Sequence, residues 1–332
     1  MHAKATHFIL SICLWSAGWA LLLTGCKNGP DQLDGVRQMK FELGYNLREI
    51  AWSPNGHSLA ATVSSERGGT QVVVLDLDTG KVRLVSGVVS ESSHGPEWSP
   101  DGQSLIFFVP STRVSPLGGG PVELVPPYNI VIVDVATGKM VRNLGFGSYA
   151  TWTADPNSII ILGQGECLEQ VPIIKYELDN NTTYEIGSTQ GCIAESADTL
   201  DASSQGILIA PGQDGLQLLD ISSGSTIGTL IPPNGMRNSV WSPSGDMIAF
   251  TVGTSGSADG YLSDPILLAS SDGSCLSNPL DLGSRILSID WSPNGTELIF
   301  ATREPGRVYF LSLINGVGKD LLDGFRQKCQ VP

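Results

Sequence analysis

The sequence has few charged residues, and positively charged ones are the scarcer kind. Asp, Glu, Lys and Arg make up 16% of its 332 residues, with 19 Lys and Arg against 33 Asp and Glu and a formal net charge of −14. A surface with this excess of negative charge repels phosphate backbones and anionic lipid headgroups. The composition therefore argues against a nucleic acid or an anionic lipid surface as the binding partner.

The common sequence signatures of catalysis are also missing. The chain contains no Gly-x-Ser-x-Gly nucleophile elbow, no His-Glu-x-x-His zinc motif, no P-loop and no Gly-x-Gly-x-x-Gly dinucleotide fingerprint. Of its four histidines, only His57 and His94 lie outside the N-terminal leader described below. We therefore expect no metal and no organic cofactor, and an enzyme is the less favoured interpretation.

What the sequence does contain is one short phrase in several copies. The four full copies of Trp-Ser-Pro-x-Gly begin at Trp52, Trp98, Trp241 and Trp291. Pro sets the first corner of a tight turn and Gly takes the corner that needs a positive φ. An apolar run follows each copy, so each phrase predicts strand, turn and strand. A phrase that returns after 46 or 50 residues, as between these pairs of tryptophans, is typical of a repeat architecture.

Two weaker copies complete the set. Trp152 begins a degenerate copy, and a further unit is expected midway between Trp152 and Trp241, with Leu200 in the Trp place. Each unit also contains a second hairpin, such as the apolar run Val72 to Asp76 with its turn at Gly80. Two hairpins make four strands. The sequence thus predicts an all-β fold, a six-bladed β-propeller of four-stranded antiparallel blades. A β-sandwich, the alternative, has no reason to repeat one phrase six times.

The phrase Trp-Ser-Pro-Asp-Gly-x-x-Leu, from Trp98 to Leu105, resembles the WD40-like repeat of the TolB family propeller. It is also similar to the propellers that precede the peptidase domain of prolyl-oligopeptidase-type enzymes. The resemblance covers residues 45–323 and implies the fold, but not an activity, because one fold serves many functions. Two departures from these families are expected: no extra domain before the propeller and no hydrolase domain after it.

The first residues have the character of an export signal. The run from Phe8 to Leu23 is apolar and is shorter than a typical membrane-spanning helix. It ends in Leu23-Thr24-Gly25-Cys26, which resembles a bacterial lipobox. That resemblance implies cleavage before Cys26 and a diacylglycerol on its thiol. An ordinary secretory signal and an uncleaved signal anchor are the alternatives.

The expected boundaries follow from these features. They are a lipoprotein signal peptide at 1–25, a lipidated Cys26 and tether at 26–44, the propeller at 45–323 and a C-terminal tail at 324–332. The expected location is extracytoplasmic, on a bacterial membrane, held there by the lipid. Which membrane carries the protein, outer or cytoplasmic, is left open.

Four cysteines remain after the leader and the lipid site, namely Cys167, Cys192, Cys275 and Cys329. An even number in an oxidising compartment suggests disulfides, with three possible pairings. The expected positions in the blades favour Cys167 with Cys192, which leaves Cys275 with Cys329 to hold the C-terminal tail. A zinc site is the rival interpretation, but the chain has no CxxC pair to support it.

The residues about four before each Trp position are expected where the innermost strands enter the central channel. This candidate rim comprises Arg48, His94, Tyr149, Glu195, Arg237 and Arg285. Because its side chains are mostly cationic or neutral, this rim would bind a divalent metal poorly. It could bind a carboxylate, a phosphate-bearing ligand or an acidic peptide end through charge-assisted hydrogen bonds. The alternative is that each Arg pairs with a neighbouring Asp or Glu.

Two long insertions, at 110–128 and 253–265, are expected on the same face as the rim. Their candidate binding residues are Arg113, Tyr128, Asp259 and Tyr261. Rigid scaffolds often carry binding residues on such loops, although long insertions are also simply tolerated.

The sequence therefore predicts a lipid-anchored, extracytoplasmic β-propeller that acts as a non-catalytic scaffold and binds a protein or peptide at the cell envelope. The alternative is a propeller enzyme, such as a lyase, a lactonase or a glycan-acting hydrolase, with its site in the central channel. A purely structural subunit of an envelope complex is a third possibility.

Overall fold

A computed structural model describes residues 30–39, 46–64, 70–89, 95–110, 128–163, 169–190, 200–212, 215–231, 236–253, 263–303 and 307–330. Six antiparallel sheets follow one another in these ranges. Their innermost strands contact one another in cyclic order, and the last contacts the first. The protein is a six-bladed β-propeller, as the repeated phrase predicted.

Blades one to four each use four consecutive strands. Blade one contains β2 (Asn46–Trp52), β3 (Ser58–Ser64), β4 (Thr70–Asp76) and β5 (Val82–Val89). Blade two contains β6 (Glu97–Trp98), β7 (Ser104–Pro110), β8 (Tyr128–Asp134) and β9 (Lys139–Gly147). Blade three contains β10 (Tyr149–Trp152), β11 (Ser158–Leu162), β12 (Gln170–Glu177) and β13 (Thr182–Gln190). Blade four contains β14 (Asp201–Ala202), β15 (Ile207–Gly212), β16 (Gly215–Asp220) and β17 (Thr226–Leu230).

Blade five departs from the four-stranded pattern. Its described strands are β18 (Met236–Trp241), β19 (Met247–Val252) and β20 (Ile266–Ser270). Isolated bridges from Ile266 to Leu280 and from Ala269 to Leu276 continue the sheet where a fourth strand was expected. Pro279 lies in this segment and has no N–H to donate, which is one reason that a regular ladder does not form there.

Blade six is built from both ends of the chain. It contains β21 (Ile286–Trp291), β22 (Glu297–Thr302) and β23 (Val308–Ser312), and its outermost strand is β1 (Val36–Gln38). Val36 pairs with Leu311. The range 26–44, expected to be a tether, thus includes a strand of the propeller, and hydrogen bonds between the two chain ends close the ring.

A C-terminal helix, α1 (Gly316–Cys329), follows the last strand and extends across the expected boundary between propeller and tail. It buries Leu321, Leu322 and Phe325 in the cluster shared by blades five and six. A disulfide joins Cys275 to Cys329 with a Cα–Cα distance of 5.6 Å, the pair left for the tail in the sequence analysis. No helix in the described ranges has the length and apolarity needed to span a membrane.

The core lies between adjacent blades rather than within them. Val72 and Val74 of blade one, for example, pack with Trp98 and Phe107 of blade two. The Trp98 indole also donates a hydrogen bond from Nε1 to the Ala51 carbonyl of the preceding blade at 3.1 Å. Trp98 therefore joins neighbouring sheets by both apolar contact and hydrogen bonding, and Trp291 does so as well, since its Nε1 donates to the Val240 carbonyl at 3.3 Å.

The repeat unit that forms blade four has Ala202, not Leu200, at the position that Trp occupies in the full copies. Ala202 pairs with Leu208 in blade four as Trp52 pairs with Leu59 in blade one. The assignment of Leu200 was wrong by two residues. Only the turn itself is shared with the full phrase, so the turn residues and not the apolar residue before them fix the alignment.

Candidate functional site

The innermost strands surround a central cavity of about 170 Å³. Strand residues from all six blades contribute to its lining. Four of the side chains that line it are acidic, namely Glu49, Glu97, Asp201 and Asp290. The candidate site is therefore an acidic channel. The prediction of mostly cationic or neutral side chains can apply only to the mouth of this channel.

Three of these acids occupy one position of the repeat in alternate blades. The residues immediately before the Trp place are, from blade one to blade six, Ala51, Glu97, Thr151, Asp201, Val240 and Asp290. A carboxylate thus projects from blades two, four and six at an equivalent point of the innermost strand. This alternation distributes three carboxyl groups around the channel with approximate threefold symmetry.

Each of the three carboxylates binds the next blade. The bond in every case comes from the backbone N–H at the Trp position of the following innermost strand. The three pairs are Trp52 N to Asp290 Oδ2 at 2.6 Å, Trp152 N to Glu97 Oε1 at 2.8 Å and Trp241 N to Asp201 Oδ2 at 2.6 Å. The carboxylates therefore link blades six to one, two to three and four to five.

The carboxyl groups also perturb one another. Burial raises the pKa of Asp201 and that of Asp290 to about 7, although the hydrogen bonds from the Trp backbone oppose the shift. Burial raises the pKa of Glu97 well above its ordinary range, and the charges of Asp201 and Asp290 raise it further. Each side chain faces the channel, but the ring of blades removes most of the bulk water that would stabilise its charge.

A β-bulge shapes the channel wall in blade five. Arg237 pairs with Thr251 and the next pair is Val240 with Ala249, so Asn238 and Ser239 together face a single partner residue. Asn238 has a φ of 48°, in the left-handed region. Bulges redirect side chains next to functional sites. Ser239 is 3% exposed and lines the cavity, and its Oγ has no hydrogen-bond partner among the described residues.

Glu49 reaches the channel from blade one by passing very close to blade two. Its Oε2 accepts a hydrogen bond from Thr62 Oγ1 at 3.1 Å. A Cβ added at Gly95 would lie 2.5 Å from the Glu49 Cβ. Gly95 is therefore required by the close approach of these two innermost segments.

Two members of the candidate rim act electrostatically on one carboxylate. Arg237 is exposed and Arg285 is half-buried. Both lower the pKa of the buried Asp264 against the larger effect of its burial, and Asp264 also accepts a hydrogen bond from Ile286 N at 3.0 Å. Arg48 is exposed in β2 of blade one. Two guanidinium groups thus share one acidic neighbour.

Of the other predicted site residues, one lines the channel and the rest lie partly or wholly outside the described residues. Tyr149 is buried and lines the channel rather than its mouth. Tyr128 begins β8, and its side chain lies outside the described residues. The remaining predicted positions lie outside the described residues altogether: Cys26, His94, Arg113, Cys167, Cys192, Glu195, Asp259 and Tyr261. In the described part of the chain, no group of three or more His, Cys, Asp or Glu side chains could hold a metal ion.

Comparison with known proteins reveals likeness of fold and little likeness of sequence. No protein-family model matches the chain, and no curated protein matches it. Hydrazine synthase of Kuenenia stuttgartiensis is similar in structure at 17% identity, over 88% of this chain and 85% of that one, with a TM-score of 0.56. A putative TolB from Agrobacterium tumefaciens is 17% identical over 84% of this chain and 98% of that one, with a TM-score of 0.53.

A chain of a mitotic checkpoint complex is 15% identical over 92% of this chain and 98% of that one, with a TM-score of 0.51. At such identities these likenesses show the fold alone. The predicted resemblance to TolB-type and WD40-like propellers therefore holds at the level of the propeller architecture.

Proposed function

We propose that this protein is a non-catalytic scaffold that binds a protein or peptide at the mouth of its central channel. The observation that carries the proposal is that Arg237 and Arg285 both act electrostatically on the buried Asp264, whose backbone N–H donates to the carbonyl of Ser284 beside Arg285. Two positive charges beside one negative charge leave the group able to bind an acidic side chain or a terminal carboxylate. A rigid ring that presents such a group suits recognition, and one protein of similar structure is itself a chain of a multi-protein complex.

We further propose that the mature protein is extracytoplasmic and anchored to a bacterial membrane by lipid on Cys26. Nine residues, 27–35, separate Cys26 from the first residue of β1. Of these residues, 30–35 are described and include a 3-10 helix, Pro30–Gln32, so the segment spans less than the roughly 30 Å of a fully extended chain. Blade six, which holds β1, would then lie close to the membrane, and a partner would be met at the envelope surface.

Capture of partners from detergent-solubilised membranes tests the binding proposal. The full chain is compared with Arg237→Glu and Arg285→Glu, and with Arg326→Glu on the exposed face of α1 as a control of equal charge change. We expect a protein recovered with the wild type and the control to be lost from both rim variants. Recovery of an unchanged set by the rim variants would contradict binding at this mouth.

One observation favours the alternative of a propeller enzyme such as a lyase, a lactonase or a glycan-acting hydrolase. Asp201 and Asp290 have pKa values of about 7 and face a channel, and general acids and bases work best with such values. Turnover of any substrate in a panel of uronate polymers, lactones and glycans, abolished by Asp201→Asn, would establish this alternative. The scaffold proposal predicts no turnover above that of the buffer.

A further inference from the structure

We propose that the central channel binds a primary ammonium group on a short alkyl chain, and that a lysine side chain of a protein partner supplies it. The origin of the amine in a partner rests on the proposed function above. The binding site itself rests only on the channel residues.

The channel has acceptors in a number and placement that suit an ammonium group. A primary ammonium has three N–H donors and no acceptor. Glu97, Asp201 and Asp290 offer carboxyl oxygens from three alternate blades, and each oxygen can accept a further bond beside the one from the Trp backbone. No Lys, Arg or His occurs among the described residues that line the cavity. A bound cation would therefore stabilise the ionised form of these carboxyl groups, which burial disfavours.

Ser239 contributes an unpaired hydroxyl beside these carboxyl groups. This side chain is 3% exposed, lines the same cavity and has no hydrogen-bond partner in the described part of the chain. Buried polar groups are almost always hydrogen-bonded, so this hydroxyl, which the described residues leave without a partner, can accept a bond from a polar ligand once its side chain rotates toward the cavity. The bulge in β18 places Ser239 on the blade between those that carry Asp201 and Asp290.

The size and polarity of the cavity also suit a lysine side chain. A cavity of about 150 Å³ can hold benzene, which has six heavy atoms. The channel cavity of about 170 Å³ is comparable, and a lysine side chain has five heavy atoms beyond Cα. Ile50, Phe108 and Ile289 line the cavity and can contact the methylene groups. The larger, planar guanidinium of arginine fits this volume less well.

The charges at the channel mouth indicate which kind of partner segment would bind best. Arg237 and Arg285 would repel an isolated cation, but Asp264 offsets part of their charge. A partner segment with an acidic residue next to its lysine would match both the mouth and the channel. We therefore expect a lysine with a neighbouring Asp or Glu at the recognised position.

Calorimetric titration of the full chain in detergent with n-butylammonium chloride at pH 8.5 tests the site, because an alkylamine with a pKa of about 10.4 is still charged there. The matched neutral probe is n-butanol. We expect n-butylammonium to bind at least about tenfold more tightly than n-butanol, because a charged donor gains more from the carboxylates than a neutral hydroxyl does. In a second titration at pH 7, where Asp201 and Asp290 are partly protonated, binding should also release protons, detected as a dependence of the heat on the ionisation enthalpy of the buffer.

Two variants and one control locate the binding. Glu97→Gln keeps an oxygen that can accept from Trp152 N and should weaken n-butylammonium binding by about tenfold. Ser239→Ala should weaken it by about threefold. Glu185→Gln removes an equal charge from the exposed outer strand of blade three and should leave binding unchanged.

The inference is overturned if n-butanol binds as tightly as n-butylammonium, or if calcium or potassium chloride produces binding heat and n-butylammonium does not. It is also overturned if Glu97→Gln melts normally and binds the amine like the wild type. If Glu97→Gln does not fold, Ser239→Ala decides the question. Amine binding together with an unchanged set of partners in the Arg237→Glu capture would leave the channel site standing and reject the proposed partner binding.

Discussion

Asp290 accepts a hydrogen bond from the backbone N–H of Trp52 at 2.6 Å, although the two residues are 238 positions apart in the sequence. This contact joins the innermost strand of blade six to that of blade one, where the ring must close. Ser288 supports it, since its Oγ accepts a hydrogen bond from Ile50 N at 3.2 Å. The acidic channel is thus part of the structure that holds the blades together as well as a candidate binding site.

Stability should depend on pH through the channel carboxylates. The folded-state pKa values of Asp201 and Asp290, about 7, lie above the value near 4 expected for an unfolded chain. The folded protein therefore binds more protons than the unfolded one between these values. We expect the contribution of these groups to be complete below about pH 4 and to be lost as the pH rises through about 7, which melting temperatures between pH 5 and pH 8 would measure.

The variants Glu97→Gln and Asp220→Asn distinguish the effect of the channel carboxylates on stability from that of other titrating groups. Glu97→Gln should reduce the fall in melting temperature between pH 5 and pH 8, because its amide cannot ionise. Hydrogen bonds from Ser222 and Ser223 lower the pKa of the surface residue Asp220 to about 2. Asp220→Asn should therefore remove a stabilising contribution that is present above about pH 4 and lost as the pH falls toward 2, and it should leave the fall in melting temperature between pH 5 and pH 8 unchanged. A wild-type melting temperature that rises steadily from pH 5 to pH 8 would be inconsistent with the raised pKa values.

The Cys275–Cys329 disulfide should stabilise the propeller by holding α1 against blades five and six. The bond spans 54 residues, and the chain-entropy treatment of a loop of this length gives about 4 kcal/mol. We expect Cys275→Ser to lower the free energy of unfolding in urea by about 2–4 kcal/mol. Cys329→Ser should have the same effect, and the double variant should add nothing, since both changes remove one bond. Additive losses would indicate that the two cysteines act separately.

The strand β1 should contribute to ring closure through its side chain and its backbone. Arg37 forms an ion pair with Glu297 at 3.2 Å and lies over the Phe310 ring at 3.6 Å. Because the Arg37 side chain is largely exposed, Arg37→Ala should cost about 1 kcal/mol or less. Arg37→Pro should cost clearly more, because proline cannot donate to the ladder with β23. Equal melting temperatures for the two variants would argue against pairing of β1 with blade six.

Two glycines should respond in opposite directions to replacement by alanine. A Cβ at Gly95 would lie 2.5 Å from the Glu49 Cβ, so Gly95→Ala should destabilise the protein by about 1–3 kcal/mol. Gly324 lies in α1 with nothing within 4 Å of the added atom, so Gly324→Ala should stabilise it by about 0.5–1 kcal/mol. Chemical denaturation of both variants measures the contrast. A neutral Gly95→Ala would show that the two innermost segments separate easily.

The fold was predictable because its repeated phrase has a local physical cause. In Trp52 to Gly56 and its copies, the turn depends on residues that are adjacent in the sequence, so the sequence alone determines the hairpin. Blade four shows the limit of this approach. There the turn from Ser203 to Gly206 survives without its Trp, and the apolar Leu200 gave a misleading alignment.

The acidic channel and the ring closure were harder to predict. The alternation of Glu97, Asp201 and Asp290 is visible once the blades are aligned on their turns, but the predicted rim lies about four residues before each Trp and so does not include Asp201, Asp290 or Glu97. Because the partner of each carboxylate is a backbone N–H of another blade, its role depends on contacts between residues far apart in sequence. The strand Val36–Gln38 has only three residues and no periodicity from which to predict it.

The most direct test of the account is to place a photo-crosslinking amino acid at Leu287, which lines the channel, and a second one at Met140, which is 62% exposed on the outer strand of blade two. Both variants are illuminated in native membranes and their covalent adducts are identified by mass spectrometry. The account predicts one protein partner, crosslinked from Leu287 and not from Met140. Adducts that form only from Met140 would contradict binding at the channel.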